Sequence, residues 1–160
     1  MMNILSIVVV LFFTNLSAEV ISMEEIRESY KVCNVSKENA EDFYKLTKKA
    51  LDNKEAIYQG YHGAALALKA SFLWNPISKL SYFNKGKNMI DDAIKLDLDN
   101  IELRMIRLSI QSNVPKIIGY YKNIEEDKDF ILENVEKITS SELKEYIEGF
   151  IAYSEVFITP

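Results

Sequence analysis

The sequence predicts an all-α domain of consecutive antiparallel helical hairpins, about seven helices behind an apolar leader. Three observations carry that expectation. Apolar residues recur at spacings of three and four beyond residue 21, and no segment sustains a spacing of two. Side chains suited to N-caps stand where most of the periodic runs begin. Glycine and proline number only 5 and 3 among 160 residues, which leaves little material for long irregular loops. With 48% hydrophobic and 27% charged residues the chain has enough apolar content to fold as one domain, and intrinsic disorder is excluded. The single cysteine, Cys33, excludes an internal disulfide scaffold and a cysteine-built zinc site. A net charge of −5, from 19 Lys and Arg against 24 Asp and Glu, argues against general nucleic-acid binding.

Residues 1–18 read MMNILSIVVVLFFTNLSA, carry no charged side chain and have an apolar core from Ile4 to Phe13. Ten residues of helix span about 15 Å, half of a hydrocarbon core of about 30 Å. That length suits a secretory signal peptide with cleavage after Ala18, which predicts export to a periplasm or the medium. The alternative is a retained N-terminal anchor, and this segment is where transient membrane association is expected. No cysteine follows the apolar run to take a lipid. Residues 19–160 form the predicted single domain. In it, Asn34-Val35-Ser36 matches the N-glycosylation sequon.

Ser22-Met23-Glu24-Glu25 forms a capping box, flanked by Ile21 and Ile26 at hydrophobic-staple positions, and opens a helix that runs to about Cys33. Ser36 caps a second helix over 37–52 whose inward face is Ala40, Phe43, Leu46, Thr47, Ala50 and Leu51. Residues 55–73 are apolar around nearly the whole circumference, which predicts the central helix. Gly60, Gly63 and the alanines there permit close approach of neighbouring helices. Asn75 caps the next helix, 76–96, with Pro76 at its first position and Ile77, Leu80, Phe83, Ile90, Ala93 and Ile94 inward. After a turn at 97–100, helix 101–112 resumes, and Pro115 ends it. Residues 113–122 are the least regular stretch. Asn123 and Glu126 form a capping box for helix 124–138, and Thr139, Ser140 or Ser141 caps the last helix, 142–156.

Short connectors between such helices favour antiparallel neighbours. A faint repeat runs through them: Leu46-x-x-x-Ala50-Leu51, Met89-x-x-x-Ala93-Ile94 and Ile131-x-x-x-Val135, at spacings of 43 and 42. The stretch Ala93-Ile94-Lys95-Leu96-Asp97-Leu98-Asp99-Asn100 resembles the end of a tetratricopeptide repeat. Ala93, Leu96, Asp97 and Asn100 fit that pattern, Gly86 and Ile90 take its upstream small and large positions, and Leu98 stands where the family usually has proline. The resemblance is strongest over 86–100. It implies helical hairpins forming a short solenoid and a concave surface that binds peptides or proteins; no ligand-contacting residue transfers by position.

The inventory of chemistry is thin. His62 is the only imidazole, so a histidine-based nucleophilic site has no support, and its neighbours point to a hydrogen-bonded core histidine. Asp97, Asp99 and Glu102 are too few for a calcium loop and read as solvated, helix-capping carboxylates. Glu125, Glu126, Asp127 and Asp129 read as an acidic first turn that favours the helix dipole and solubility. Lys37, Lys45, Lys48 and Lys49 read as the solvated back of the second helix. Cys33 is expected to be buried. No catalytic residue, metal ligand or cofactor is expected.

A non-catalytic scaffold that binds a protein or peptide in a helix-lined groove is the expected function. The groove would lie where Tyr58, Tyr61, His62, Trp74, Tyr120 and Tyr121 converge, because Tyr and Trp suit interfaces as well as cores. One alternative is a small-molecule or lipid carrier with an inter-helix pocket around Tyr61, His62 and Trp74. An enzyme has the least support from the residues present.

Overall fold

The computed structural model describes residues 21–158, and the expected signal segment, 1–18, lies outside the described residues. Among the described residues eight α-helices follow one another: α1 (Met23–Val32), α2 (Lys37–Ala50), α3 (Ala56–Ser71), α4 (Pro76–Leu96), α5 (Ile101–Asn113), α6 (Ile124–Asn134), α7 (Ser141–Tyr153) and α8 (Glu155–Ile158). Two 3-10 turns, Lys116–Ile118 and Val135–Lys137, lie among them, and the described residues contain no strand. The all-α class expected from the periodicity is what the chain adopts.

The helix starts are set by side chains. Ser22 accepts from the Glu25 amide at 3.1 Å and Ser36 from the Asn39 amide at 3.0 Å. Asn75 accepts from the amides of Ile77 and Ser78, with Pro76 at the first helical position, and Asn100 from those of Glu102 and Leu103. Ser140 accepts from the Leu143 amide. Each such cap contributes on the order of 1 kcal/mol. Asn123 departs from expectation. Its φ of −105° and ψ of 7° leave it out of the extended conformation a cap needs, and it donates instead to the Glu126 carboxylate at 2.9 Å. The expected helix 124–138 tightens into the 3-10 turn after Asn134, and the expected helix 142–156 breaks at Ser154, whose ψ of 125° is extended. Gly119, at φ 75°, closes the irregular connector in the left-handed region that glycine tolerates.

Each helix from α1 to α5 packs on its successor, α6 and α7 both meet the 3-10 turn between them, and α3 also meets α5, as α5 meets α7. Helix α3 is central, buried on most sides between α2, α4 and α5. Its contact with α4 is the most extensive in the fold. There Gly63 and Gly86 face each other so closely that a Cβ on Gly86 would lie 2.4 Å from the Gly63 carbonyl oxygen and 2.6 Å from the Ala67 nitrogen. Phe43, Tyr61, Ile90, Leu103, Ile106 and Ile131 form the centre of the core.

The start of α4 differs from expectation. Ile77 and Leu80, predicted to face inward, are 81% and 54% exposed, beside Trp74 at 93%. Helix α4 has 21 residues against 16 for α3. Its buried face begins only at Phe83, so its first turns overhang the helices on which the remainder packs.

Candidate functional site

Helices α1 and α7 stand apart across α5 and leave a cleft of about 810 Å³. One wall is Glu24, Arg27, Glu28, Tyr30 and Lys31 from α1, with Cys33 and Asn34 just beyond it. The floor is Met105, Ser109 and Ile110 of α5 with Leu68 of α3. The other wall is Glu142, Glu145, Tyr146, Gly149, Phe150 and Tyr153 of α7. These are i, i+3, i+4 positions on α1 and α7, so one stripe of each helix faces the opening. Exposed Glu142, Glu145, Lys31 and Tyr153 along the lining make it an open groove and not an enclosed cavity.

A polar strut holds the walls. The Arg27 guanidinium donates to both oxygens of Glu102 on α5, each at 2.8 Å, and to Glu142 on α7. The Tyr61 hydroxyl of α3 donates to Glu102 at 2.5 Å and lies 3.3 Å from the Tyr146 hydroxyl. Arg27 also sits 5.7 Å from the centre of the Tyr146 ring, within cation–π range. The Tyr30 hydroxyl donates to Ser109 at 3.0 Å. Hydrogen bonding to Glu102 holds the Arg27 pKa above its ordinary value. Burial raises Tyr30, Tyr61 and Tyr146 well above the usual phenol value, and the Glu102 charge adds to the effect on Tyr61 and Tyr146. All four groups therefore keep their protons across the neutral range and act as fixed hydrogen-bond donors. Cys33, at the end of the α1 wall, is buried as expected, and burial pushes its thiol up to about 12, which leaves it unreactive at neutral pH.

A second polar cluster ties α4, α5 and α6. Asp127, fully buried, accepts two bonds of 2.7 Å from Arg107 and one of 3.1 Å from Arg104. Glu126 accepts from Arg104 at 2.7 Å, and its carboxyl is held below the usual value by the hydrogen bond from Asn123 and then by Arg104. Asp127 and Glu102 thus correct the reading of their acidic runs as solvated. Both sit three or four residues from apolar side chains of their own helix, and a partly or wholly buried arginine on another helix meets each of them. No group of three or more His, Cys, Asp or Glu among the described residues is arranged to hold a metal ion.

The six aromatic and histidine positions expected to line a groove do not converge on one. None of them lines the α1–α7 cleft. Tyr58 and Tyr61 are core residues of α3. His62 is buried, its Nδ1 is 3.1 Å from the Thr47 hydroxyl, and its ring lies against Tyr44. Thr47 also lies 2.9 Å from the Phe43 carbonyl and 3.2 Å from that of Tyr44, so its hydroxyl ties the His62 ring to the α2 backbone. Tyr120 packs edge-on against Phe83 and donates to Asp91 at 2.9 Å, while Tyr121 is exposed beside it. Trp74 projects from the α3–α4 turn, at the edge of a shallow hollow of about 210 Å³. The apolar surface of Tyr58, Tyr61 and His62 went into the core because α3 is enclosed on most sides. The residues that line the cleft had one legible signal. Arg27 falls one helical turn from both Met23 and Tyr30, a charge placed on an apolar stripe.

His62 gives a pH signature. Burial, then the nearby Lys48 charge, lowers its pKa below the ordinary imidazole value. The unfolded chain therefore takes up the proton first as pH falls below about 6.5. The stability conferred by the neutral ring is present above that pH and is lost as pH drops through the lowered folded value. The urea midpoint of the parent should fall between pH 7.5 and 5.5 more steeply than that of His62→Gln. Parallel slopes would show that the ring is solvated.

Fold and site together define an all-α domain with an open, two-walled inter-helix cleft. No known family model matches the chain, and comparisons with curated proteins and with solved structures return no significant match.

Proposed function

We infer that the protein is a non-catalytic scaffold, exported through its N-terminal segment, which binds an extended protein or peptide segment in the cleft between α1 and α7. The tetratricopeptide-like arrangement belongs to this reading. Packing of each helix from α1 to α5 on its successor, with α3 on α5 and α5 on α7, supports it. The single observation that carries the function is the open cleft of about 810 Å³ with aromatic and carboxylate side chains on both walls. Its size falls within the range of about 300–1,000 Å³ common for binding sites, and its open edge suits a chain that enters and leaves. A carrier of small apolar molecules needs an enclosed cavity instead. Tyr30, Tyr146, Phe150 and Tyr153 supply rigid contact area, and the strut through Arg27 fixes the spacing of the walls before a ligand arrives.

Position 149 offers the test. A Cβ at Gly149 meets no atom within 4 Å, so a larger side chain there enters the cleft without disturbing the core. A photoreactive amino acid at 149 is expected to trap a recurrent protein adduct in intact cells, whereas one at the exposed Asn88 of α4 traps only background. The same adducts from both positions, or none from 149, would count against the cleft as the binding site.

A further inference from the structure

The tip of the α3–α4 hairpin has a chemistry the cleft does not use. Trp74, Ile77 and Leu80 stand 93%, 81% and 54% exposed, at three-residue intervals from the turn into the first two turns of α4. Water-exposed side chains of this size rarely cluster without a partner surface. The charge pattern around them says which partner. From residue 56 to residue 90 the chain has no carboxylate at all, in a protein where Asp and Glu outnumber Lys and Arg by 24 to 19. The same stretch carries Lys69, Lys79, Lys85 and Lys87 and no arginine. Lys79 lies between Ile77 and Leu80 in sequence and, like Lys85, is exposed with no carboxylate partner among the described residues. Lys69 is the exception, paired with Glu41 of α2 at 2.9 Å. Lys37, also exposed, joins that pair and Trp74 around the shallow hollow.

We propose that this tip docks on an anionic lipid surface, with Trp74, Ile77 and Leu80 entering the headgroup region while Lys79, Lys85 and Lys37 face the lipid phosphates. Indole favours the boundary between hydrocarbon and water, and exposed aliphatic side chains gain by leaving water beside it. Lysine is a mobile point charge suited to the diffuse negative potential of a membrane. The three arginines, Arg27, Arg104 and Arg107, whose planar forks suit carboxylates on a protein, are all spent on internal ion pairs. No helix of the described residues is long and apolar enough to cross a membrane, so the contact is peripheral. The tip shares no residue with the cleft, which leaves the cleft free to bind while the tip is docked.

Trp74 is the only tryptophan in the chain, so intrinsic fluorescence reports on this one position. The 160-residue chain is titrated with vesicles of mixed phosphatidylglycerol and phosphatidylcholine. Trp74 emission is expected to shift to the blue and to be quenched by lipids brominated in their acyl chains. Pure phosphatidylcholine vesicles should give little of either. Lys79→Glu/Lys85→Glu and Ile77→Ser/Leu80→Ser should each weaken partitioning about tenfold or more, with helical circular dichroism unchanged because all four positions are exposed. Unchanged Trp74 emission with anionic vesicles overturns the proposal. This holds even where the protein sediments with the vesicles, because another segment, such as residues 1–18, is then the contact. An equal response to neutral vesicles overturns the role of the lysines. A response to polyglutamate but not to vesicles assigns the tip to an acidic protein instead.

Discussion

Gly86→Ala is expected to lower the thermal midpoint by about 6–12 °C, the equivalent of roughly 3 kcal/mol for a chain of this size. In an ordinary helix interior the same change stabilises by about 1 kcal/mol, because alanine surrenders less backbone entropy. The sign reverses here because of what the added methyl meets. It would stand 2.4 Å from the Gly63 carbonyl oxygen and 2.6 Å from the Ala67 nitrogen, both of them backbone atoms of α3 that no rotamer change can move. The two helices must separate along their most extensive contact, and the interior is packed too densely to absorb that locally. Gly149→Ala is the control. It lies within α7, its Cβ meets nothing, and it should gain up to about 1 kcal/mol. Thermal melts of both variants decide the matter. Equal gains would mean that α3 and α4 can part freely and that the close crossing does not organise the fold.

Arg27→Met should cost about 3–5 kcal/mol at neutral pH, read as a lower urea midpoint. Glu102 is almost wholly buried and is neutralised by the two parallel bonds from Arg27, so removal of the guanidinium strands a carboxylate among apolar side chains. Methionine keeps much of the side-chain volume, so the loss reports on charge more than on a void. Arg27→Met/Glu102→Gln should recover a large part of the loss, because the neutral amide still accepts from Tyr61 and needs no counter-charge. A single variant that costs less than about 1 kcal/mol would show that water reaches Glu102 and that the strut does not fix the cleft. Since Arg27 also bonds Glu142, the single variant should loosen the α7 wall and weaken capture at position 149, even where the protein remains folded.

The strut and the tip share a physical origin in the economy of charge. Every arginine is consumed inside the fold, while exposed lysines and carboxylates are left to define its faces. Glu24 and Glu145 line the cleft, one on each wall, with no ion-pair partner among the described residues, and give its mouth an acidic rim. The α3–α4 tip carries the opposite sign. One chain therefore offers two surfaces of different chemistry, and the two proposals above assign one to each.

Helix identity and helix starts were legible from local sequence, because a cap or a three-and-four spacing is decided within one or two turns. Ser22, Ser36 and Asn75 cap as their positions require, and the apolar circumference of 55–73 marks the central helix, whose glycines do admit close approach. Tertiary contacts decided the rest. Asp127 falls three or four residues from Ile124, Phe130 and Ile131, and Glu102 from Met105 and Ile106, but only the tertiary structure brings the arginines against which each is buried. Ile77 and Leu80 are spaced by three and Ile90 and Ile94 by four, and at about 100° per residue Ile77 points well away from the second pair, so the helices packed over Ile90 and Ile94 do not cover it. The cleft is a property of where α1 and α7 come to rest on α5, from residues far apart in the chain. A periodic pattern says which face of a helix is apolar, but only the packed structure determines what covers that face and what is left open.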